Sequence, residues 1–245
     1  EASLESLGWI CEETDSDNLE NESNKILTAI MSGLTNKNEE VKFAAISALY
    51  NALEFVHKNF NADKERNYIM QKVCEQTQST SYKIKQQAFN CLTRICQLYY
   101  DFMKPYMKAV FNIALGACKS SNEKIGRLGV EFWSSLCDIE LEIFYEIEDI
   151  GESDIECQYY IKASLTHLVP ILLVLLTKQD EDQDDDDWNI ATASATCLDL
   201  LAKTVKDDIV NHTMGFITKN ANAQSWRRAE AAILAFGSIM DGPAP

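Results

Sequence analysis

The sequence predicts an all-α protein built as an α-solenoid, a superhelix of stacked antiparallel helix pairs. Three observations carry the prediction. Helix breakers are scarce, with 4 Pro and 9 Gly in 245 residues, where a sheet protein would need many turn residues. A short pattern of small and large apolar residues returns along the chain at near-regular steps. An apolar-periodic stretch precedes each return after the first, so the helices come in pairs.

The returning pattern is two small residues, two variable ones, a small residue and a large apolar one. It reads Ala44-Ala45-Ile46-Ser47-Ala48-Leu49, then Gln87-Ala88-Phe89-Asn90-Cys91-Leu92, then Leu128-Gly129-Val130-Glu131-Phe132-Trp133. It returns as Ala193-Ser194-Ala195-Thr196-Cys197-Leu198 and closes as Ala231-Ala232-Ile233-Leu234-Ala235-Phe236, with a partial copy at Ala2-Ser3-Leu4-Glu5-Ser6-Leu7. The second small residue falls at 3, 45, 88, 129, 194 and 232, in steps of 42, 43, 41, 65 and 38. All but one step match the length of a HEAT or armadillo unit. Short side chains let two helices cross closely, and the apolar residue four positions on fills the layer beside them. One pair cannot bury both faces, so neighbours must stack.

Each inner (B) helix built on this pattern follows an outer (A) helix. The A helices are expected at about Asn24–Leu34, Lys64–Thr77, Lys104–Lys119, Gln158–Lys178 and Lys206–Lys219. The long step must hold inserted material, which falls at Glu140–Cys157 and Gln179–Asp187. Pro170 should kink the fourth A helix, since it lacks an N–H and crowds the preceding turn. Residues 1–245 read as a single solenoid of about five and a half repeats, with the acidic stretch 179–188 inside one of them. Helical spacing is already present at Ala2, Leu4, Leu7 and Ile10, and the sequence ends on Asp241-Gly242-Pro243. Both ends are expected to continue into neighbouring repeats.

Composition bounds the function. Hydrophobic residues make up 46% and charged residues 24%, the balance of a globular chain. The net charge of −16 repels nucleic acid and anionic membrane and attracts basic protein segments. The eight cysteines include no C-x-x-C pair, and most lie in apolar helical patterns. They read as small buried hydrophobes in a reducing compartment, not as a zinc site. Sequons at Asn21 and Asn211 read as chance, and the longest apolar run, Leu168–Leu176, is too short to span a bilayer.

No catalytic constellation appears. His57, His167 and His212 lie in separate repeats, and there is neither a nucleophile elbow nor a phosphate-cradling glycine loop. The run from Asp180 is spaced like a calcium loop, but Asp185 stands where the turn glycine belongs and Ala191 where the bidentate glutamate belongs. No enzyme activity, cofactor or metal is expected.

Seven of the eight residues Asp180–Asp187 are acidic, and Trp188-Asn189 follows them. That stretch resembles the acidic loop of the importin-beta family of nuclear transport receptors. So do Glu65-Arg66-Asn67-Tyr68-Ile69-Met70-Gln71, Val130-Glu131-Phe132-Trp133-Ser134 and Ala235-Phe236-Gly237-Ser238-Ile239-Met240-Asp241-Gly242-Pro243. The resemblance runs over the whole chain and implies a HEAT-repeat segment from the family's amino-terminal half. It implies a receptor shared between cytoplasm and nucleus and found at the nuclear pore. Its implied partners are nucleoporin phenylalanine–glycine repeats, Ran-GTP, and the basic segment of importin-alpha or a basic cargo. Neither nucleic acid nor membrane is expected to bind. The alternative is a HEAT-repeat scaffold or regulatory subunit of a multiprotein complex, since fold alone does not fix function.

The resemblance also implies sites. The family binds phenylalanine–glycine repeats between neighbouring A helices. One such pocket would fall on Leu27, Met31, Glu65 and Tyr68, and a second on Tyr106 and Ile113. Leu27 and Met31 are four apart and share a helix face, and methionine adapts to a loosely defined phenyl guest. Ran-GTP and the adaptor would meet the acidic loop, at Asp180, Glu181, Asp182, Asp184, Asp185, Asp186, Asp187 and Trp188, with Glu131 and Asp138 on a B helix beside it. An indole beside carboxylates can take a cation on its face while the carboxylates accept its hydrogen bonds.

Overall fold

A computed structural model describes residues 1–14, 19–179 and 188–244. The acidic residues Asp180–Asp187 therefore lie outside the described residues. The chain forms two compact units, Glu1–Tyr106 and Met107–Pro245.

The first unit contains α1 (Ala2–Glu13), α2 (Ser23–Leu34), α3 (Glu39–Ala52), α4 (His57–Asn61), α5 (Asp63–Gln76) and α6 (Tyr82–Leu98). Short 3-10 turns stand at Glu20–Glu22, Leu53–Phe55 and Tyr100–Phe102. The B helices α1, α3 and α6 pack side by side, and the A helices α2 and α5 lie against them and against each other. The pattern residues Ala45, Ala48 and Ala88 are fully buried at these crossings.

The second unit holds α7 (Met107–Cys118), α8 (Glu123–Ile150), α9 (Tyr160–Leu175), α10 (Ile190–Val205), α11 (Asp208–Asn220) and α12 (Trp226–Ser238). Here α8, α10 and α12 form the B layer, while α7, α9 and α11 form the A layer. Gly129 marks the closest crossing. A Cβ there would lie 2.7 Å from the Ala114 carbonyl oxygen and 2.7 Å from the Cys118 nitrogen, so the α7 backbone leaves no room for a side chain. Paired antiparallel helices in two layers are the α-solenoid order that the repeat predicts.

The differences from expectation have local causes. Glu140 to Ile150, expected as part of an insertion, continues α8 to 28 residues. Nothing breaks the helix until Gly151, whose φ of 92° is left-handed and whose N–H closes on the Ile147 carbonyl. Tyr159 (φ 55°) and Lys206 (φ 53°) turn the chain just before α9 and α11, so those helices start later than their apolar periods suggest. Helix α9 runs through Pro170, which is exposed.

Buried Glu140 caps the start of α9 from another helix. Its Oε1 accepts from the Tyr160 N–H at 2.6 Å and lies 3.4 Å from the Ile161 nitrogen, placing negative charge on the first-turn donors. Asparagine caps recur at B-helix starts. Asn38 accepts from the Glu40 N–H, Asn122 from the Lys124 N–H, and Asn189 from the Ala191 and Thr192 N–H groups.

Candidate functional site

The first candidate site is a groove of about 530 Å³ between α2 and α5, with Asn59 of α4 also lining it. Leu27, Met31, Glu65 and Tyr68 all line it. Leu27 and Met31 are 6% and 7% exposed and form a closed apolar wall. Tyr68 is 44% exposed, so it is only partly covered. The Lys72 ammonium stands 5.6 Å from the Tyr68 ring centroid.

One end of the groove is polar and tightly bonded. The Asn59 Nδ2 donates to Asn24 Oδ1 on α2 at 2.6 Å and to Glu65 Oε2 on α5 at 2.5 Å. Asn59 is only 3% exposed. Its amide therefore ties both walls together and fixes the Glu65 carboxylate at the rim. Asn24 and Asn59 were not read from the sequence. The five-residue helix that carries Asn59 has no hydrophobic period to reveal it.

Tyr106 and Ile113, expected to share a second pocket, fall in different units. Tyr106 ends the first unit. Its hydroxyl accepts from the Arg66 Nε at 3.2 Å and donates to Asn67 Oδ1 at 2.5 Å. The Arg66 guanidinium lies 4.8 Å over the Phe102 ring; desolvation would lower its pKa, but the hydrogen bonds it donates to Tyr106 and Asp63 outweigh that and raise it. Ile113 is half-buried on α7 of the second unit.

The third arrangement joins α8 to the start of α10. The Trp188 indole N–H donates to Glu131 Oε1 at 3.1 Å, and the Arg127 guanidinium donates to the Trp188 carbonyl at 2.5 Å. Glu123 Oε1 accepts from the Ile190 N–H at 3.2 Å. Residues 123, 127 and 131 stand four apart, so one face of α8 holds this entire entry. Trp188 keeps 49% of its surface exposed beside the carboxylate. Asp138 lies exposed about two turns farther along α8. Partial burial, with help from Glu142, raises its pKa. Asp180, Glu181, Asp182, Asp184, Asp185, Asp186 and Asp187 precede Trp188 but lie outside the described residues. Arg127 was not singled out from the sequence, although its place one turn before Glu131 could have suggested it.

Seven of the eight thiols sit where burial raises their pKa. Burial pushes Cys11 and Cys74 up to about 11 and Cys96 and Cys197 up to about 12, with Cys91, Cys118 and Cys137 also raised. Such thiols stay protonated and unreactive near neutrality. Among the described residues no group of three or more His, Cys, Asp or Glu could hold a metal ion, and no helix is long and apolar enough to cross a membrane.

Comparison with known proteins bears on these arrangements. The HEAT-repeat family described as "Stalled ribosome sensor GCN1-like, HEAT repeats" matches residues 2–139. Importin subunit beta-1 of Arabidopsis thaliana is 48% identical over 250 residues, covering 99% of this chain and 29% of the relative. Importin subunit beta-1 of Schizosaccharomyces pombe is 44% identical over 248 residues, with 98% and 29% covered. Among solved structures, the Kap95:Nup1 complex aligns with a TM-score of 0.95 at 42% identity, covering 99% of this chain and 29% of that one. A Kap95p structure concerned with the switch loops of RanGDP aligns at 0.94 and 41% identity, covering 99% of this chain and 29% of that one. The chain thus spans less than a third of the length of these relatives.

Proposed function

We propose that this chain, which belongs to a HEAT-repeat family and is similar to importin subunit beta-1, is part of a nuclear import receptor moving between cytoplasm and nucleus through the nuclear pore. The carrying observation is the α2–α5 groove. The four residues that resemblance assigns to repeat binding, Leu27, Met31, Glu65 and Tyr68, line one cavity on one A-helix pair. In this reading a phenylalanine ring of a nucleoporin repeat enters against Leu27 and Met31, and Tyr68 covers it. Asn59 engages one oxygen of Glu65, and the carboxylate's remaining capacity accepts from a backbone N–H of the repeat. Kap95, a relative, occurs in complex with Nup1, which supports a nucleoporin as occupant.

The energetics suit transient passage. One phenylalanine ring buries up to about 200 Å², which yields only a few kcal/mol before ordering costs. Single contacts are then weak and fast, and several tethered repeats supply avidity.

The α8–α10 junction supports a second role. Trp188, Glu131 and Asp138 would contribute with the acidic residues 180–187 to binding Ran-GTP and the basic segment of importin-alpha or a cargo. If both partners need overlapping carboxylates, each opposes the other, which is a basis for cargo release. RanGDP is a partner of Kap95p, in keeping with that reading. The test is to titrate an isotopically labelled chain with a phenylalanine–glycine repeat peptide and map the perturbed amides. Shifts concentrated on α2 and α5 are expected. No binding, or shifts elsewhere only, would instead favour a HEAT-repeat scaffold that organises other proteins.

A further inference from the structure

The turn that joins α8 to α9 carries a serine that neither docking role above uses. Ser153 is the only serine or threonine between Ser135 and Ser164, and Glu152, Asp154 and Glu156 flank it. All three carboxylates are exposed, with Ser153 half-buried among them. No lysine or arginine occurs between Arg127 and Lys162, so no cation adjacent in sequence neutralises them. The backbone here is open. Gly151 turns left-handed (φ 92°) at the end of α8, and a Cβ there would meet nothing within 4 Å. From Glu152 to Glu156 no backbone N–H pairs with a backbone carbonyl among the described residues. Such a segment can be lifted from the surface and laid across another protein without breaking helix bonds. The hydroxyl already meets a carboxylate near the end of α8. Ser153 Oγ donates to Glu146 Oε2 at 2.5 Å and accepts from the Ile155 N–H at 3.3 Å.

We propose that Ser153 is a phosphorylation site for a serine/threonine kinase that selects carboxylates one and three positions after the serine. Asp154 and Glu156 hold those positions. A kinase of that class presents a basic cleft, which pairs with the exposed carboxylates and is drawn by a chain of net charge −16. The Ser153 Oγ attacks the γ-phosphorus of magnesium-bound ATP. The bond from that phosphorus to the bridging oxygen breaks, ADP leaves, and the hydroxyl proton passes to the catalytic base of the kinase. The product changes the end of α8. The phosphate adds about two negative charges near neutrality and cannot donate to Glu146 as the hydroxyl did. Like charges then face each other across the former bond, at the negative end of the helix dipole. The last turn of α8 is released, and with it the Gly151 N–H bond to the Ile147 carbonyl, now 3.0 Å. Glu140 is buried well before that turn, so the α9 cap persists. The inference does not rest on the receptor reading and uses none of its residues.

The test is incubation of the chain with magnesium and ATP and either an acidic-directed or a basic-directed serine/threonine kinase, read by mass spectrometry of the digested product. The parent chain, Ser153→Ala and the pair Asp154→Asn/Glu156→Gln are compared, and circular dichroism checks that each is folded. A phosphoryl group on the peptide that holds Ser153 is expected with the acidic-directed kinase alone. Ser153→Ala should abolish it, and the neutral pair should slow it about ten-fold or more. Modification only at another serine, such as Ser120 with Glu123 three positions on, would overturn the assignment. So would equal rates on the parent and the neutral pair, or equal rates by the two kinases. Amide spectra of the phosphorylated chain read the helix. Shifts at Gly151 and in the turn before it are expected, with faster amide exchange there. A Gly151 amide unchanged by phosphorylation of Ser153 would overturn the release of α8.

Discussion

The indole N–H of Trp188 donates to Oε1 of Glu131 across 3.1 Å, linking the residue before the α10 cap to the first third of α8. The bond aims the ring and holds a carboxylate beside it without spending the carboxylate's second oxygen. A cation reaching this corner meets an indole and a carboxylate already in place, so little ordering cost remains to be met on binding.

Glu131→Gln should therefore weaken a basic adaptor segment less than Trp188→Ala does, because the amide oxygen can still accept from the indole while the charge is lost. Losses of about two- to five-fold and five- to ten-fold are expected at low salt, read by calorimetry on a full-length receptor. Raising salt should shrink the first loss more than the second. Equal losses at all salt concentrations would mean that the pair does not act by charge.

Docking of a cation should also act on Asp138. Partial burial, then Glu142, raises its carboxyl pKa, so the folded chain takes up this proton more readily than the unfolded chain does. The sign follows: this group opposes folding while ionised, and the opposition is relieved as pH falls through its raised pKa. A bound cation favours the ionised form and should lower that pKa. Carbon-detected NMR titration of the side chain, with and without a basic peptide, would read the shift. A pKa unmoved by saturating peptide would remove Asp138 from the site.

Tyr68→Ala should leave the chain folded, since the ring is 44% exposed. It should weaken a phenylalanine–glycine repeat by about 1 kcal/mol, or roughly five-fold. Met31→Asp places a charge in the apolar wall and should remove measurable binding. A folded Tyr68→Ala chain that binds like the parent would move the repeat site away from α5.

Asn59→Asp removes the donor that joins Asn24 and Glu65 and sets a second carboxylate against Glu65 Oε2, where the amide now stands at 2.5 Å. The cost near neutrality should be about 1–3 kcal/mol. Acidification lets the two carboxylates share a proton, so part of the lost stability should return as the pH falls toward the carboxylate range. Asn59→Ala should show no such recovery. Thermal melts of both variants from pH 7 to pH 4.5 compare them, and identical pH profiles would show that the carboxylate contact is not formed.

Gly129→Ala tests the repeat itself. Its Cβ would lie 2.7 Å from α7 backbone atoms, so the helices must separate, at about 1–3 kcal/mol. Ala88→Gly, at the equivalent position of another repeat, should instead lose about 1 kcal/mol through helix propensity. Urea melts compare the two. A stabilised Gly129→Ala chain would contradict the close crossing.

How much of this was legible in the sequence follows from which features carry a period. Ala45, Ala88, Gly129, Ser194 and Ala232 are small because helices cross there, and all are buried; steric necessity repeats with the architecture and so can be read. Leu27 and Met31 could be placed on one face by spacing. Asn59 could not, because a five-residue helix repeats nothing. The end of α8 was masked by composition. Glu142, Glu146, Glu148 and Asp149 make it read as an acidic insertion, whereas the lack of any breaker before Gly151 lets the helix continue. The asparagines at 38, 122 and 189 carried a readable start signal, each followed by a helix whose first amides they accept.

Glu140 has a consequence for how this chain can change in length. It lies seventeen residues into α8, and its carboxylate must arrive at the first amides of α9. Removing or adding one residue between Asn122 and Glu140 would rotate it about 100° around the helix axis, withdraw it from Tyr160 and leave buried donors open. The exposed turn after α8 carries no such obligation, although Leu141 and Ile143 just after Glu140 are buried. Gly151 and Glu152 are exposed at the turn beyond α8, and a segment spliced there would lengthen the loop while the cap stays in register. Length variation in this repeat is thus confined to one side of a single carboxylate, and that turn is the place to graft a reporter or a tag.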